Sequence, residues 1–296
     1  MGTVHRLPEF TNIHNIDDAV VQAVTNDPYR REGDISVTEL VSPPQMVYLM
    51  RKHAGEMVQD VNDAYYTFRG RLVHQILEAA QLPEGSIKEQ RFSTEVLGWT
   101  VTGKPDVWLP DGTLKDYKTM LTYAYLLGPK VEWEQQLSLY AAILRRNGMK
   151  VERSQIIAFF LDWQDRKAQF DDEYPQSFSI TINVPCWPEI EADVFLVERV
   201  AAHQAALMDF TYEPCTPEER WAVPDTYAVK KRGAKRASRV FQDLELANEF
   251  ATSAAGFEVE HRPGGSRRCE NYCRAMPFCE QAKAMGYGVS GDGSQK

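Results

Sequence analysis

The stretch VTGKPDVWLPDGTLKDYKTM, residues 101 to 120, constrains this chain more than any other. Pro110, Asp111 and Gly112 suit a three-residue hairpin loop. Proline pre-sets φ, aspartate tolerates the turn and glycine takes the left-handed position. Leu109 then faces Thr113, which puts Asp106 opposite Asp116 and Lys104 opposite Lys118. A two-residue loop would instead turn the two aspartates to opposite faces. Directly opposed Cβ atoms lie about 5 Å apart, where like charges repel. A Mg²⁺ or Mn²⁺ between the carboxylates removes that penalty, since such ions take hard oxygen ligands and add substrate phosphate oxygens. The competing reading is an exposed hairpin with solvated charges, Lys118 pairing loosely with Asp116, because an isolated D-x-K matches often by chance.

The rest of the composition is that of an ordinary globular protein. Of 296 residues, 43% are hydrophobic and 25% charged. The longest apolar runs, such as IIAFFL, are far too short to span a bilayer. The opening MGTVHRLPEF has no apolar signal region, and Arg6 stands where the myristoylation pattern needs Ser or Thr. The expectation is a cytoplasmic protein with no membrane partner. A net charge of −9 argues against nucleic acid on its face. However, binding depends on where charge sits, and residues 230 to 239 carry six Lys or Arg and no acid.

The order of helices and strands suggests a mixed α/β sheet. Residues 36 to 80 read as helical in two segments, the second with an apolar stripe of Leu72, Ile76 and Leu77. Strands follow over KEQRFSTEVLGWTVTGKPDVWL and GTLKDYKT, then the helix EWEQQLSLYAAILRRNG, ended by Gly148. SQIIAFFLDW and SFSITINV read as strands, and a helix opens at Pro188. A boundary falls in TYEPCTPEER, giving expected parts 1–210 and 211–285 and a disordered, Gly- and Ser-rich tail at 286–296.

Pro105-Asp106, nine residues, then Asp116-Tyr117-Lys118 resembles the signature of the PD-(D/E)XK nucleases. His74 in GRLVHQILE upstream, and Gln136 and Tyr140 in QLSLY downstream, resemble the RecB, Cas4 and phage-exonuclease branch. The resemblance covers roughly residues 36 to 165. It implies a restriction-endonuclease-like fold and a metal held by Asp106, Asp116, the Tyr117 carbonyl and His74. It implies that Lys118 positions the attacking water, and that Gln136 and Tyr140 support the site or touch the DNA backbone. Glu89 or Glu95 is a further acid near the site. Taken without the motif, His74 reads as a core-edge histidine, Gln136 and Tyr140 as bridges between helix and sheet, and Tyr125 and Trp133 as packing residues.

Cys269, Cys273 and Cys279 in CENYCRAMPFC, with Cys215 upstream, offer four thiolates, which suit a [4Fe–4S] cluster or a structural Zn²⁺. Residues four apart share a helix face, so Cys269 and Cys273 reach one centre, and Pro277 turns Cys279 back. Packed thiols are the third reading, and Cys186 reads as packing. The iron–sulfur nucleases of the Cas4 and AddB type end in a similar three-cysteine cluster. This chain departs from them in its first gap and in placing Cys215 after the nuclease motifs. The basic run is expected to form a hairpin tipped by Gly233, with Lys230, Lys231, Arg232, Lys235, Arg236 and Arg239 facing DNA phosphates. A solvated loop is its plainer alternative. The resemblance thus implies a Mg²⁺- or Mn²⁺-dependent deoxyribonuclease. Its expected role is an exonuclease on linear or single-stranded ends in phage or bacterial recombination and repair, with a recombination or helicase partner. A non-catalytic DNA-binding or assembly subunit that keeps the fold is the alternative.

Overall fold

The structure, a computed structural model, describes residues 9–26, 32–253 and 255–288. Most of the expected tail, from residue 289 on, lies outside the described residues. Two units emerge, Met1–Val47 with Ala54–Tyr212, and Tyr48–His53 with Glu213–Lys296. Among the described residues, no helix is long and apolar enough to cross a membrane.

The first unit is mixed α/β. The helices that matter for the site and core are α1 (Val37–Val41), α2 (Pro44–Lys52, of which residues 48–52 group with the second unit), α3 (Tyr65–Glu78), α4 (Val131–Arg146) and α5 (Glu189–Met208). The unit's longer run of strands is β1 (Ile87–Lys88), β2 (Phe92–Val96), β3 (Trp99–Gly103), β4 (Val107–Trp108), β5 (Thr113–Met120), β6 (Arg153–Phe160) and β7 (Ser179–Val184). The main sheet runs β7-β6-β5-β4-β1, while β2 and β3 join Ile35–Ser36 in a second sheet. Only β5 and β6 are parallel in the main sheet, and α4 is the crossover that a parallel pair requires.

Local chemistry explains the interruptions in the stretch expected to be helical. Ser36 and Glu39 form a reciprocal capping box that starts α1. Pro43 forces Ser42 into an extended conformation (ψ 152°), so α1 and α2 stay separate. Residues 53 to 60 are not helical and include the short strand Val58–Asp60. Helix α4 buries Leu137, Leu139, Ile143 and Leu144 against Leu114, Ile156 and Ala158 of the sheet. Its acids sit in the first turn and Arg145 and Arg146 in the last, matching the helix dipole. Helix α3 behaves differently. None of its residues is fully buried, and Leu72 and Ile76 of its apolar stripe are 45% and 72% exposed. The His74 side of α3 faces the sheet instead, with the His74 ring edge-on to Tyr117.

In the second unit β8 (Thr226–Lys231) is flanked by β9 (Arg239–Phe241) and β10 (Phe257–Arg262), with helices α6 (Leu244–Thr252), α7 (Arg267–Asn271) and α8 (Glu280–Ala284). The basic run connects β8 to β9 as a hairpin, and Gly233 in it has φ +80°.

Candidate active site

The hairpin register is the one the turn dictates. Val107 pairs with Lys115 and Trp108 with Leu114, and Gly112 takes φ +81°. Pairing stops at Val107, because Pro105 has no N–H and the Asp106 carboxylate takes over. Its Oδ2 accepts from the Tyr117 backbone N–H at 2.6 Å. The two strands therefore part at Asp106, and Lys104 and Lys118 turn to different partners.

Asp116 is 3% exposed and Asp106 8%. Lys118 Nζ lies 2.7 Å from Asp116 Oδ2, yet that oxygen receives no hydrogen bond of acceptable direction and stays an orphaned buried acceptor. Lys118 donates instead to Gln136 Oε1 at 2.9 Å, and Gln136 Nε2 donates to the Tyr140 hydroxyl at 3.3 Å. Gln136 and Tyr140, four apart on α4, thus brace the ammonium from the side of the sheet on which Asp116 and Lys118 both project.

His74 approaches from α3. Its Nε2 lies 3.2 Å from the Tyr117 carbonyl oxygen, while Nδ1 lies 3.3 Å from Glu89 Oε1 and 3.5 Å from Asp106 Oδ1. His74, Glu89 and Asp106 have ligand atoms that all lie within 4.8 Å of one another. Of the two glutamates offered by the sequence, Glu89 is therefore the one at the site. Glu95 accepts from Thr100 Oγ1 on the β2–β3 hairpin. Glu89 holds an uncommon left-handed backbone (φ 49°), its N–H donates to the Asp106 carbonyl, and its Oε2 lies 2.5 Å from Lys104 Nζ. Tyr125 packs on Phe160 and Trp133 is buried in the core.

The charge environment fits a hard divalent ion. Burial, then the neighbouring Asp116 carboxylate, push the Asp106 carboxyl up to about 7. The hydrogen bond to Glu89 holds the His74 imidazolium above its usual range against desolvation. Burial works to raise Glu89, but its bonds to His74 and Lys104 outweigh it and keep the carboxyl low. Orphaned Asp116 Oδ2, repelling carboxylates and an imidazole suit Mg²⁺ or Mn²⁺. For Asp106 and His74 the folded protein binds protons more tightly than the unfolded chain. The metal-free protein therefore loses stability from these groups as pH rises, from the usual carboxylate value to about 7 for Asp106 and through the raised His74 value above 6.5. A divalent ion needs both deprotonated. Thermal melts with and without Mn²⁺ are accordingly expected to show a larger gain at pH 8 than at pH 5.5. Equal gains at both would count against this origin.

Gly103, at the end of β3, guards the Tyr140 ring. A Cβ there would sit 3.0 Å from Tyr140 Cδ1 and 3.1 Å from Val37 Cγ2. Gly103→Ala is expected to cost about 1–3 kcal/mol of stability by overpacking. It should also slow any activity that depends on the Lys118–Gln136–Tyr140 chain, readable by melting and assay together.

The cysteines lie in the second unit, apart from Cys186, which accepts from Arg145 beside the core of the first. Gln281 clamps the Cys215 backbone on both sides, accepting its N–H at 2.9 Å and donating to its carbonyl at 2.8 Å. Burial, then Glu219, then the other three cysteines push the Cys215 thiol up to about 12, so all four share one neighbourhood. Helix α7 ends at Asn271, however, because Tyr272 leaves helical geometry (φ −132°). Cys269 and Cys273 therefore do not share one helix face. Instead the Cys273 N–H turns back to the Arg268 carbonyl at 2.8 Å. A single tetrahedral zinc with bonds of about 2.3 Å needs sulfurs roughly 3.8 Å apart. Among the described residues, no three cysteines bring their sulfurs within 4.8 Å of one another.

The basic hairpin keeps part of its charge for itself. Lys230 pairs with Glu260 and Glu258 of β10, and Arg239 stacks over Phe241 and Phe250. Lys231, Arg232, Lys235 and Arg236 are exposed.

No family model matches the chain. No curated protein matches it in sequence. Among solved structures it is similar to one titled SSO0001, at 15% identity and a TM-score of 0.44, over 68% of this chain and 88% of that one. It is also similar to an alkaline exonuclease (LHK-Exo) from Laribacter hongkongensis, at 12% identity and a TM-score of 0.38, over 59% and 90%. A phage related exonuclease from Haemophilus somnus 129PT follows at 18% identity and a TM-score of 0.33, over 49% and 71%. Likenesses this distant carry no weight in assigning the activity of this chain.

Proposed function

We propose that residues 1–210 form a metal-dependent DNA nuclease of the PD-(D/E)XK type, acting as an exonuclease on linear or single-stranded ends. One observation carries the reading. Two buried carboxylates, Asp106 and Asp116, lie beside a braced ammonium, and Asp116 Oδ2 accepts no hydrogen bond although it is ion-paired with Lys118.

His74, Glu89, Asp106 and Asp116 would hold the ion. The Tyr117 carbonyl, expected from the resemblance to be a ligand, lies against His74 Nε2 and fixes which ring nitrogen turns to the carboxylates. When bound, Mg²⁺ or Mn²⁺ lowers the pKa of its water and acts as a Lewis acid on the phosphate. Hydrolysis forms one P–O bond from water and breaks the ester P–O bond. One water proton ends on the leaving oxygen and the other in solvent. Lys118 orients the water and stabilises negative charge growing on phosphorus-bound oxygen. Gln136 and Tyr140 keep the ammonium at that place, because its other neighbour, Asp116, would draw it away.

In residues 211–285 the four cysteines would carry a [4Fe–4S] cluster that ties the segment together. Four thiolates also suit a structural Zn²⁺, which is the alternative. Lys231, Arg232, Lys235 and Arg236 would touch DNA phosphates without reading sequence, and Lys230 and Arg239 would shape the hairpin. A role in phage or bacterial recombination or repair, in the cytoplasm and beside a helicase or annealing partner, follows from the resemblance. The test is end-labelled linear DNA and closed circular DNA incubated with Mg²⁺, Mn²⁺ or chelator. Metal-dependent loss of the linear substrate alone supports the reading. Binding without cutting would make the protein a DNA-binding subunit, and cutting of the circle an endonuclease.

A further inference from the structure

We infer that the site holds one divalent ion rather than two, and that Lys104 stands where a second cation's charge would be needed. This rests on the proposed function and asks how many ions that site takes. Three carboxylates meet there, Glu89, Asp106 and Asp116. Two ammonium groups already serve them. Lys104 Nζ lies 2.5 Å from Glu89 Oε2 and Lys118 Nζ 2.7 Å from Asp116 Oδ2. With His74 neutral, as a ligand must be, the set carries one net negative charge.

A single divalent ion changes that to one net positive charge, and the phosphodiester brings it to zero. A second divalent ion would leave two uncompensated positive charges around the two buried aspartates, among side chains that are otherwise only partly exposed, which is unfavourable. Geometry agrees with the count. Among the described residues, His74, Glu89 and Asp106 are the one group whose ligand atoms lie within 4.8 Å of one another. Lys104 pins the outer oxygen of Glu89, leaving Oε1, the oxygen beside His74, to face the ion. The sequence places Lys104 two residues before Asp106, and the break in pairing at Asp106 frees it to reach Glu89.

The experiment is equilibrium dialysis of Mn²⁺, with free ion read by electron paramagnetic resonance and no DNA present. Mn²⁺ prefers oxygen and imidazole to thiolate, so the cysteines do not interfere. Asp106→Asn supplies the background. Wild type is expected to bind one Mn²⁺ per chain above that background. Lys104→Met should take up a second ion or bind the first at least tenfold more tightly, and Lys104→Arg, which keeps the charge, should stay at one. Two ions of similar affinity in wild type would overturn this inference while leaving the proposed function standing. So would unchanged stoichiometry and affinity in folded Lys104→Met. No ion bound by wild type would overturn both.

Discussion

Replacing Lys118 with alanine is expected to lower the single-turnover rate of DNA cleavage by on the order of 10²- to 10³-fold while leaving DNA affinity nearly unchanged. The ammonium is braced by Gln136 on one side and set beside Asp116 on the other. Its place is one where charge develops during hydrolysis, so its loss should fall on the rate and not on binding. Asp116→Ala should lose at least as much activity and, unlike Lys118→Ala, should also lose Mn²⁺ affinity. Gln136→Ala should fall between wild type and Lys118→Ala, because it removes the brace and keeps the ammonium. Equal rates for wild type and Lys118→Ala would remove the lysine from the chemistry.

Cys279→Ser should have the largest effect on stability. Cys279 caps α8 with its sulfur, and α8 bears Gln281, the clamp on Cys215. A structural metal centre in a small module contributes roughly 10 kcal/mol or more to its folding. The variant is expected to lose its iron, lose absorbance near ~400 nm and become open to proteolysis within residues 213–288. Gln281→Leu should lower iron content less than Cys279→Ser does, since it frees a ligand without removing it. A colourless wild type carrying one zinc per chain would replace the cluster with Zn²⁺. Wild type with neither metal would return the cysteines to simple packing.

How much of this was legible beforehand varies with the range of the interaction that decides it. The β4–β5 register follows from Pro110-Asp111-Gly112, a turn whose geometry is set within five residues. Gln136 and Tyr140 come from the family resemblance, and helical spacing adds that they share one face. By contrast, the choice of Glu89 over Glu95 depends on the left-handed backbone at Glu89 and on its bond to the Asp106 carbonyl. Neither has a local sequence signal. The same is true of Lys104, which strict hairpin pairing would set opposite Lys118 and which instead meets Glu89. Lys230, grouped by sequence with the lysines and arginines facing DNA phosphates, pairs instead with acids that arrive on β10, about thirty residues later. The end of α7 before Cys273 was hidden too, since nothing in CENYC marks Tyr272 as a stop.

Buried acids and an imidazole are expected to converge on a divalent cation beside Lys118. Crystals grown with Mn²⁺ and measured for anomalous scattering at its absorption edge test it most directly. A peak is expected at coordination distance, about 2.1–2.3 Å, from Asp106 and His74 Nδ1, with Glu89 or Asp116 completing the set. Well-ordered acids with no peak among them at millimolar Mn²⁺, or a peak elsewhere in the molecule alone, would contradict it.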